Sequence, residues 1–395
     1  MLVDQAINVL MDLIKIETVA PPGENYLEIV TYLDNLLTNY GLSTRIIEVP
    51  KSIVREYYPE YADYSRYILL AELCNTKGEK IHFNAHYDVV PGGSGWLITE
   101  PFRPVLINGR VYGRGASDDK GGMTALVLLA KQLSELRDFS GCVEFSFTPD
   151  EELGGITGVG YLTNQIIKPD YAIVAEPTGL DMVWIGSMGV LQLDIIVRGI
   201  PSHASQPWYG INAFEDGVRI AHSLIEELKP RIESRQFMGK KASITLGGLV
   251  RGSNMRNLVP NYFHFSIDRR ILPSEDVDTV LNELFNYVNE LRRNIKSTID
   301  INIVSRVESA LNNDSRLLSK LINAVSKILR INPRVGISST PVDTRYLQRA
   351  GIDALTYGPG NTTSAHGPDE YIEVNDIIKS VDVYLQLVRD VYGDA

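Results

Sequence analysis

Residues 113–152, GRGASDDKGGMTALVLLAKQLSELRDFSGCVEFSFTPDEE, carry the pattern on which the fold prediction rests. A glycine-rich loop with two aspartates leads into an apolar helix predicted over Lys120–Leu136, and a strand predicted over Cys142–Phe147 follows. That strand runs directly into the acidic segment Asp150–Glu152. Helices that alternate with strands are typical of an α/β fold, so we predict a mainly parallel sheet with helices on both faces.

The alternation continues on both sides of this stretch. Before it, the predicted strands are Ser43–Val49, Tyr67–Leu73 and Ile81–Ala85. After it come a strand predicted over Tyr171–Ala175 and, near the C-terminus, a helix predicted over Asp376–Val391. The pattern therefore predicts one α/β domain built from both ends of the chain.

A different pattern interrupts this domain near Met188. Six elements follow in the order βαββαβ, which is the ferredoxin-like motif. The predicted elements are Val190–Val197, Ala213–Leu228, Ser243–Leu249, Tyr262–Asp268, Val277–Leu291 and Ile299–Val304. We therefore predict a catalytic domain formed by residues 1–187 and 308–395, with an inserted domain at residues 188–307.

The composition excludes several classes of protein. The chain has 395 residues, of which 44% are hydrophobic, and a net charge of −11 without a basic tract, so a nucleic-acid partner is not expected. No apolar run is long enough to span a membrane, and the N-terminus lacks the features of a signal peptide. Cys74 and Cys142 form no CxxC pattern, so we expect no disulfide framework and a cytoplasmic location.

Imidazole and carboxylate groups occur just beyond the predicted strands and in the returning C-terminal segment. These candidate metal ligands are His86, Asp118, Glu152, Glu176 and His366. Side chains beyond the carboxyl ends of strands in an open α/β sheet converge on one crevice. Imidazole and carboxylate are usual ligands of catalytic zinc. The sequence therefore predicts a metal site to which both parts of the α/β domain contribute.

Two of these candidates have an acidic neighbour that suggests a supporting role. Asp88 lies two positions after His86, on the same side of a strand, and can hold the free ring nitrogen of the histidine. Of Asp118 and Asp119, one carboxylate can bridge two cations while the other caps the helix that follows. A histidine satisfied within the core and a simple helix start are the alternatives for these motifs.

The acidic segment Asp150–Glu152 suggests a division of labour. Three acids after a buried strand are costly unless they are paired or bind a cation. Glu151 and Glu152 can point in different directions, one toward a metal and the other free to take a proton from water. A solvated acidic turn is the alternative for this motif alone. Together with the histidines, the pattern favours a two-metal hydrolase.

Five tyrosines lie within eleven positions beside Pro59. They are Tyr57, Tyr58, Tyr61, Tyr64 and Tyr67. Two interpretations remain open: a loop packed on the sheet edge or against another subunit, and an aromatic wall of the substrate cleft.

The chain resembles the metallopeptidase and deacylase family that includes acetylornithine deacetylase, succinyl-diaminopimelate desuccinylase, aminoacylase and glutamate carboxypeptidase. The resemblance covers nearly the whole chain. It rests on HYDVVP at 86–91, GRGASDDKGG at 113–122, DEE at 150–152, EP at 176–177, SHA at 202–204 and the segment 358–366. It implies a zinc-peptidase-like α/β catalytic domain with an inserted ferredoxin-like domain that acts as a lid and forms a homodimer.

The resemblance also implies roles for the candidate ligands. His86, Asp118 and Glu176 would hold one zinc ion, and Asp118, Glu152 and His366 the other, so that each subunit binds two Zn²⁺. The mixed nitrogen and oxygen donors also suit Co²⁺ or Mn²⁺. Glu151 would be the general base, and Asp88 would orient His86. The peptide bond between Asp118 and Asp119 would be cis.

Further roles are implied for the inserted domain and for one residue beyond it. His203 would reach the active site of the partner subunit and stabilise the oxyanion. Asn257 and Arg270 would hold the carboxylate of the substrate, and Arg345 is a further candidate for the substrate pocket. Strand alternation agrees with the choice of Arg270, because it shares the polar face of its strand. Arg269 falls on the apolar face, from which its side chain is expected to extend to solvent.

The predicted function is that of a dinuclear zinc amidohydrolase that removes an acyl group from an N-acyl amino acid. A dipeptidase or carboxypeptidase with the same metal site is one alternative. A metal-binding scaffold without turnover is another, which the presence of Glu151 argues against.

Overall fold

The computed structural model describes residues 2–75, 78–136 and 140–393. The chain falls into two compact units. The first comprises Met1–Ile185, Asn312–Gly336 and Val342–Ala395, and the second comprises Gly186–Leu311 and Ile337–Pro341.

The helices and strands alternate along the chain largely as the periodicity predicts. The first stretch contains α1 (Leu2–Lys15), α2 (Tyr26–Asn39), β1 (Ser43–Glu48), α3 (Lys51–Tyr57), β2 (Tyr67–Cys74), β3 (Ile81–His86), β4 (Val105–Ile107), β5 (Arg110–Tyr112), α4 (Lys120–Ser134), β6 (Cys142–Thr148), α5 (Val159–Gln165), β7 (Tyr171–Val174) and β8 (Met182–Ser187). The middle stretch contains β9 (Gly189–Arg198), α6 (Ala213–Ser223), α7 (Lys229–Glu233), β10 (Gln236–Phe237), β11 (Lys240–Lys241), β12 (Ser243–Gly252), β13 (Tyr262–Ile271), α8 (Val277–Leu291), β14 (Thr298–Val307) and β15 (Ala310–Leu311). The last stretch contains α9 (Arg316–Leu329), β16 (Arg334–Ser338), α10 (Thr344–Arg349), β17 (Asp353–Thr356), β18 (Tyr371–Glu373) and α11 (Val374–Tyr392).

The sheet of the first unit is parallel only at its centre. Its strands follow the order β1-β2-β6-β3-β7-β17-β8. The pairs β6–β3, β3–β7 and β7–β17 are parallel, whereas β1–β2, β2–β6 and β17–β8 are antiparallel. The expectation of a mainly parallel sheet was therefore wrong for its flanks. Antiparallel strands commonly extend an otherwise parallel sheet in α/β proteins.

Helices cover both faces of this sheet. Strands β3, β6 and β7 are buried along their whole length, and polar side chains within β3 and β6 pair with each other, as where His82 Nδ1 lies 2.9 Å from Glu144 Oε1. On one face, α4 packs against β3 and against α1 and α11. On the other, residues of α3, α5 and α10 form an apolar cluster with β2, β7 and β17. This three-layer arrangement fixes the strand ends at which the candidate ligands lie.

The second unit contains a four-stranded sheet of order β12-β13-β9-β14, with all three neighbouring pairs antiparallel. This order and the βαββαβ chain path confirm the ferredoxin-like prediction. The predicted helix 213–228 is a regular α-helix only as far as Ser223, and a π-helical turn continues it to Leu228.

Arg269 corrects one expectation about this sheet. The residue lies on the apolar face of β13, as the alternation predicts, but its side chain is fully buried and does not extend to solvent. Its Nη2 donates to Glu275 Oε1 at 2.6 Å. Because Glu275 supplies a carboxylate beside this face, the guanidinium can remain inside.

The two cysteines also differ from expectation. Cys74 and Cys142 lie opposite each other on the antiparallel strands β2 and β6 and form a disulfide. The expectation of no disulfide framework was wrong for this pair, because the strand register that brings the two residues together is not visible in their spacing of 68 positions. None of the helices in the described part of the chain is long and apolar enough to cross a membrane.

Candidate metal centre

The parallel strands place three of the predicted motifs at one edge of the sheet. His86 is the last residue of β3, Asp150–Glu152 follow β6 after one proline, and Glu176 follows β7 by two positions. Because β6, β3 and β7 are adjacent and parallel, their carboxyl ends meet at this edge. The turn before α4 adds Asp118, and the segment before β18 adds His366.

Asp118 connects the two histidines through its two carboxylate oxygens. His86 Nε2 lies 2.9 Å from Asp118 Oδ1, and His366 Nε2 lies 3.3 Å from Asp118 Oδ2. Glu176 Oε1 is 3.9 Å from His86 Nε2, and Glu152 Oε1 is 2.9 Å from His366 Nε2. The five predicted ligands thus form two groups that share Asp118.

Within each group, the candidate ligand atoms all lie within 4.8 Å of one another. The first group is His86, Asp118 and Glu176, and the second is Asp118, Glu152 and His366. Each offers one imidazole and two carboxylates, a donor set that suits zinc and related divalent ions. A shared carboxylate between two such groups is the arrangement expected of a dinuclear site.

The charge and burial of the carboxyl groups in the two ligand groups also suit the binding of cations. Burial raises the pKa of Glu176 well above its usual range and also raises that of Glu152. Hydrogen bonding to Asp118 and Glu152 raises the pKa of His366 to about 10. Glu176 Oε1 is buried, and no group of the described residues hydrogen-bonds to it. A buried carboxylate oxygen without a donor is costly, and a divalent cation would satisfy it.

Asp88 connects His86 to the acidic turn. The Nδ1 atom of His86 lies 3.0 Å from the carbonyl oxygen of Asp88 and 3.4 Å from its carboxylate. The carboxylate itself accepts hydrogen bonds from the backbone N–H groups of Glu151 and Glu152, at 3.1 and 3.0 Å. Asp88 is fully buried, and it therefore positions the histidine ring and the acidic turn together.

Glu151 begins a one-turn 3₁₀ helix, Glu151–Leu153, that follows Asp150 in the left-handed backbone region. It belongs to neither of the two ligand groups found among the described residues. Burial raises the pKa of Glu151 well above its usual range, although the nearby His86 opposes this effect. Its carboxyl group is thus separate from the ligands but lies within their electrostatic environment.

Asp119 occupies the N-cap position of α4, as predicted. Among the residues that the structure describes, its side chain makes no capping hydrogen bond to the first turn of this helix. The carboxylate lies against Gly122, where an added Cβ would overlap Asp119 Oδ1. The expectation of a side-chain cap was therefore wrong. The peptide bond between Asp118 and Asp119 is cis, as the resemblance implied.

Glu370 was not predicted from the sequence, although it organises the loop that carries Asp118. Its carboxylate accepts hydrogen bonds from the backbone N–H groups of Gly115, Ser117 and Asp118, at 2.9 to 3.0 Å. Arg114 Nη1 donates to the same carboxylate at 2.7 Å, and both side chains are buried. Its donors among the described residues are backbone N–H groups and one arginine, and such partners produce no residue spacing that a sequence pattern could reveal.

Arg66 was also not predicted, and it pairs with the first acid of the acidic segment. Its Nε donates to Asp150 Oδ2 at 2.6 Å, and both side chains are fully buried. Tyr26 donates to Asp150 Oδ1 at 2.9 Å, and Thr157 donates to Oδ2. The carboxylate of Asp150 thus receives its hydrogen bonds from protein groups. Of the three acids in the segment, Glu151 and Glu152 are the two that remain as candidates for metal binding or proton transfer.

Three predicted site residues belong to the inserted unit. His203 is exposed, and its Nδ1 lies 2.7 Å from Ser205 Oγ. The strand pair between His203 and Leu258 brings it beside Asn257, whose carbonyl accepts from the N–H of Ala204. Arg270 pairs with Asp268 on the same strand at 2.7 Å.

Arg345, the last predicted site residue, lies on α10 of the first unit. Its side chain is buried, and its Nη2 donates to the carbonyl of Gly154 at 2.6 Å. This contact brings it to the acidic turn.

The family is established by comparison. The profile of peptidase family M20/M25/M40 matches residues 82–390, and the chain belongs to this family. It is a metal-dependent hydrolase of amide or peptide bonds.

Two relatives illustrate the range of the family. An uncharacterized metallohydrolase of Methanocaldococcus jannaschii is 26% identical over 414 residues, which cover 98% of this chain and 100% of that protein. A succinyl-diaminopimelate desuccinylase of Nautilia profundicola is 26% identical over 324 residues, which cover 80% of this chain and 85% of that protein.

Two solved structures share the fold. A tripeptidase of Staphylococcus aureus has a TM-score of 0.80 at 16% identity, with 98% of both chains covered. A dinuclear metal-binding peptidase of the M20 family from Bacillus subtilis has a TM-score of 0.72 at 15% identity, with 99% of this chain and 98% of that chain covered.

Proposed function

We propose that the protein is a dinuclear zinc amidohydrolase that removes the acyl group from an N-acyl amino acid. The observation that carries the proposal is the position of Asp118, whose two oxygens lie toward His86 and His366 at the junction of two ligand groups. Glu176 and Glu152 complete the two groups. The relative named as a succinyl-diaminopimelate desuccinylase supports an acyl amino acid as substrate.

In this proposal, the chain's own residues carry the proton transfers. When bound, a pair of divalent cations supplies charge that polarises the scissile carbonyl and makes water more acidic. Glu151 takes a proton from the water whose oxygen attacks the carbonyl carbon. Once the C–O bond has formed, the C–N bond breaks, and Glu151 delivers its proton to the leaving amine. The burial that raises the pKa of Glu151 suits a group that must bind and then release a proton.

The inserted domain is proposed to supply substrate recognition. Arg270 and Asn257 would bind the carboxylate of the amino acid, the arginine through two parallel N–H donors. His203 would stabilise the oxyanion in the site of the partner subunit. This role requires a homodimer, and we propose that the inserted domain forms it. We propose no nucleic-acid or membrane partner. The Cys74–Cys142 disulfide removes the cysteine-based reason for a cytoplasmic location, which stays a prediction.

Metal removal tests the proposal first. A chelator should abolish turnover, and about two equivalents of Zn²⁺ or Co²⁺ per chain should restore it, since the two ligand groups share one carboxylate. Full activity in a preparation shown to be free of metal would contradict the proposal. So would full recovery at one equivalent with no second binding event.

The alternative is a dipeptidase or carboxypeptidase that uses the same metal site. The fold that this chain shares with a tripeptidase is compatible with this alternative. A panel of N-acetyl amino acids, N-succinyl amino acids and dipeptides separates the two functions by kcat/KM. A preference for N-acyl substrates supports the deacylase, and a preference for dipeptides supports the peptidase. Absence of turnover on the whole panel with two metals bound would favour a non-catalytic scaffold.

A further inference from the structure

The backbone of the acidic turn 150–155 is held by hydrogen bonds at almost every position. The N–H groups of Glu151 and Glu152 donate to Asp88. Within the turn, Leu153 and Gly155 donate to the carbonyl of Asp150, and Gly154 donates to that of Glu151. The carbonyls at the end of such a turn have no partner in the turn itself, so their partners come from elsewhere.

Side chains from two distant segments bind these last carbonyls. Tyr58, from the tyrosine-rich segment, donates to the carbonyl of Leu153 at 3.1 Å. Arg345 and Tyr346, on α10, both donate to the carbonyl of Gly154 at 2.6 Å. Tyr58 is almost 290 positions from Arg345 and Tyr346 in sequence, but the three side chains meet on two successive carbonyls.

We propose that Tyr58, Arg345 and Tyr346 form a carbonyl clamp whose function is to fix the positions of Glu151 and Glu152. In this proposal Arg345 is a positioning residue and does not bind the substrate carboxylate. The inference rests on the proposed roles of Glu151 as base and of Glu152 as ligand. It also gives the tyrosine-rich segment a function, because Tyr58 and Arg66 hold opposite ends of the same acidic turn.

The surroundings of Arg345 support a positioning role. Only 2% of its side chain is exposed, and the guanidinium stacks on the ring of Tyr346, with its carbon 4.3 Å from the ring centroid. Its Nη1 lies 3.8 Å from Asp343 Oδ1. An arginine that binds a substrate carboxylate frequently presents two parallel donors to it, and these must face open space. Here one donor is used by Gly154, and the planar group lies between an aromatic ring and a buried acid.

Asp343 and Gly155 show how closely α10 approaches the turn. Gly155 has φ of +66°, and a Cβ at this position would overlap the carboxylate of Asp343. Glycine at 155 therefore permits both the left-handed conformation and the contact. The residues Asp343, Arg345 and Tyr346 thus meet the two glycines that end the turn.

The clamp matters because Glu151 and Glu152 lie within three residues of the bound carbonyls of Leu153 and Gly154. A catalytic base must lie within hydrogen-bond reach of the proton that it takes. A displacement of about 1 Å can reduce turnover on the order of a hundredfold. Release of one carbonyl is therefore expected to move both glutamates, which would lower kcat and weaken the metal group that contains Glu152.

Conservative variants of the tyrosines test the clamp without removing a buried charge. Tyr58→Phe and Tyr346→Phe each delete one hydroxyl donor. Tyr57→Phe is the matched control, since that neighbouring tyrosine is 50% exposed. We expect each clamp variant to lower kcat on the order of tenfold, with KM changed less than about twofold. The control should match the wild type.

Co²⁺ titration of the metal-free protein gives a readout that needs no substrate. Loosening the turn should raise the Kd of the cation bound by Asp118, Glu152 and His366 several-fold, and leave the other cation unaffected. The visible absorption of Co²⁺ reports both events. Wild-type kcat and wild-type Co²⁺ affinities in both tyrosine variants would overturn the clamp.

Arg345→Lys separates positioning from substrate binding. Lysine keeps the charge and one donor for Gly154 but not the planar fork. A positioning role predicts a fall in kcat that is the same for the fastest substrate of the panel and for its C-terminal carboxamide. A rise in KM with unchanged kcat, seen only for the free carboxylate, would overturn the positioning role. Glu151→Gln, assayed in parallel, tests whether Glu151 is the general base. The Co²⁺ titration does not depend on that role, so it tests the clamp even if Glu151 is not the base.

Discussion

Glu370 accepts a hydrogen bond from the backbone N–H of Asp118 at 3.0 Å, although the two residues are 252 positions apart. The same carboxylate also accepts from Gly115 and Ser117. It therefore fixes the loop that places Asp118 between the two histidines. The side chain is only 1% exposed and never needs to touch a cation to determine where the shared ligand lies.

Glu370→Gln should destabilise the protein and weaken metal binding. The amide keeps the size of the side chain, but it removes the charge that pairs with Arg114 at 2.7 Å and directs an N–H group toward other donors. Breaking a buried ion pair by removing one partner typically costs about 3–5 kcal/mol. Urea unfolding and Co²⁺ titration measure the two effects.

Glu373→Gln is the matched control for this prediction. It makes the same chemical change three residues later, where Glu373 pairs with Arg110 and both side chains are about two-fifths exposed. Exposed pairs contribute about 1 kcal/mol or less, so a small effect is expected. If the two variants lost equal stability, the buried hydrogen bonds around Glu370 would contribute no more to the free energy of unfolding than an exposed ion pair does.

The sequence pattern identified three of the candidate metal ligands, His86, Glu152 and Glu176, because each follows a local rule. His86 and the acidic turn end buried strands, and Glu176 lies two positions beyond one. The edge of a parallel sheet then brings them together, whatever the details of the loops. His366 was identified through its resemblance to a family motif, since it lies in an irregular segment whose pattern has no period.

The missed features depend on distant partners. Arg66 pairs with Asp150 across 84 positions, and Arg345, itself named from the sequence, contacts Gly154 across 191 positions, a contact that was not predicted. The Cys74–Cys142 disulfide depends on the register between β2 and β6. Backbone groups and strand register have no signature in a single sequence, so local patterns predict the ligands but not the side chains that hold them.

Glu151→Ala and Glu152→Ala should have different consequences. Glu151 lies outside both ligand groups of the described residues, so its loss should leave metal content near normal while lowering kcat roughly 10²–10⁴-fold. Glu152 Oε1 is 2.9 Å from His366 Nε2, and its loss should release one cation. Metal analysis and kcat measured on the same samples distinguish the roles. Metal loss with a normal rate in Glu151→Ala would mean that the two assignments are reversed.

Glu144 gives a prediction about pH and stability that is independent of the metals. Its carboxylate lies 2.9 Å from His82 Nδ1 and 3.2 Å from Lys80 Nζ. Burial raises its pKa, but hydrogen bonding from His82 and the charge of Lys80 outweigh this and lower the pKa from 4.5 to about 2. Because the folded-state pKa is the lower one, the stabilisation is complete above about pH 4.5 and is lost as the pH falls toward 2.

The stability difference between the wild type and Glu144→Gln should therefore be up to about 3 kcal/mol at pH 7 and clearly smaller at pH 3. Urea unfolding at both values measures it. Glu72→Gln is the control, since it removes the more exposed partner of the same lysine and should change stability by less than about 1 kcal/mol. An equal difference at pH 7 and pH 3 would show that the charge of Glu144 does not contribute.

The proposed homodimer leads to the final prediction, which concerns His203. If this histidine completes the site of the partner subunit, His203→Ala and Glu151→Ala are each inactive as pure dimers. After subunit exchange, a mixed dimer pairs the intact Glu151 of one chain with the intact His203 of the other and regains one working site. With equal mixing, half of the dimers are mixed and each has one good site in two, so activity should recover to about a quarter of the wild type.

His222 is an exposed histidine of the same inserted unit, and the control variant His222→Ala should keep full activity by itself. If exchange is demonstrated by mass spectrometry and no activity returns, His203 acts within its own chain or has no catalytic role.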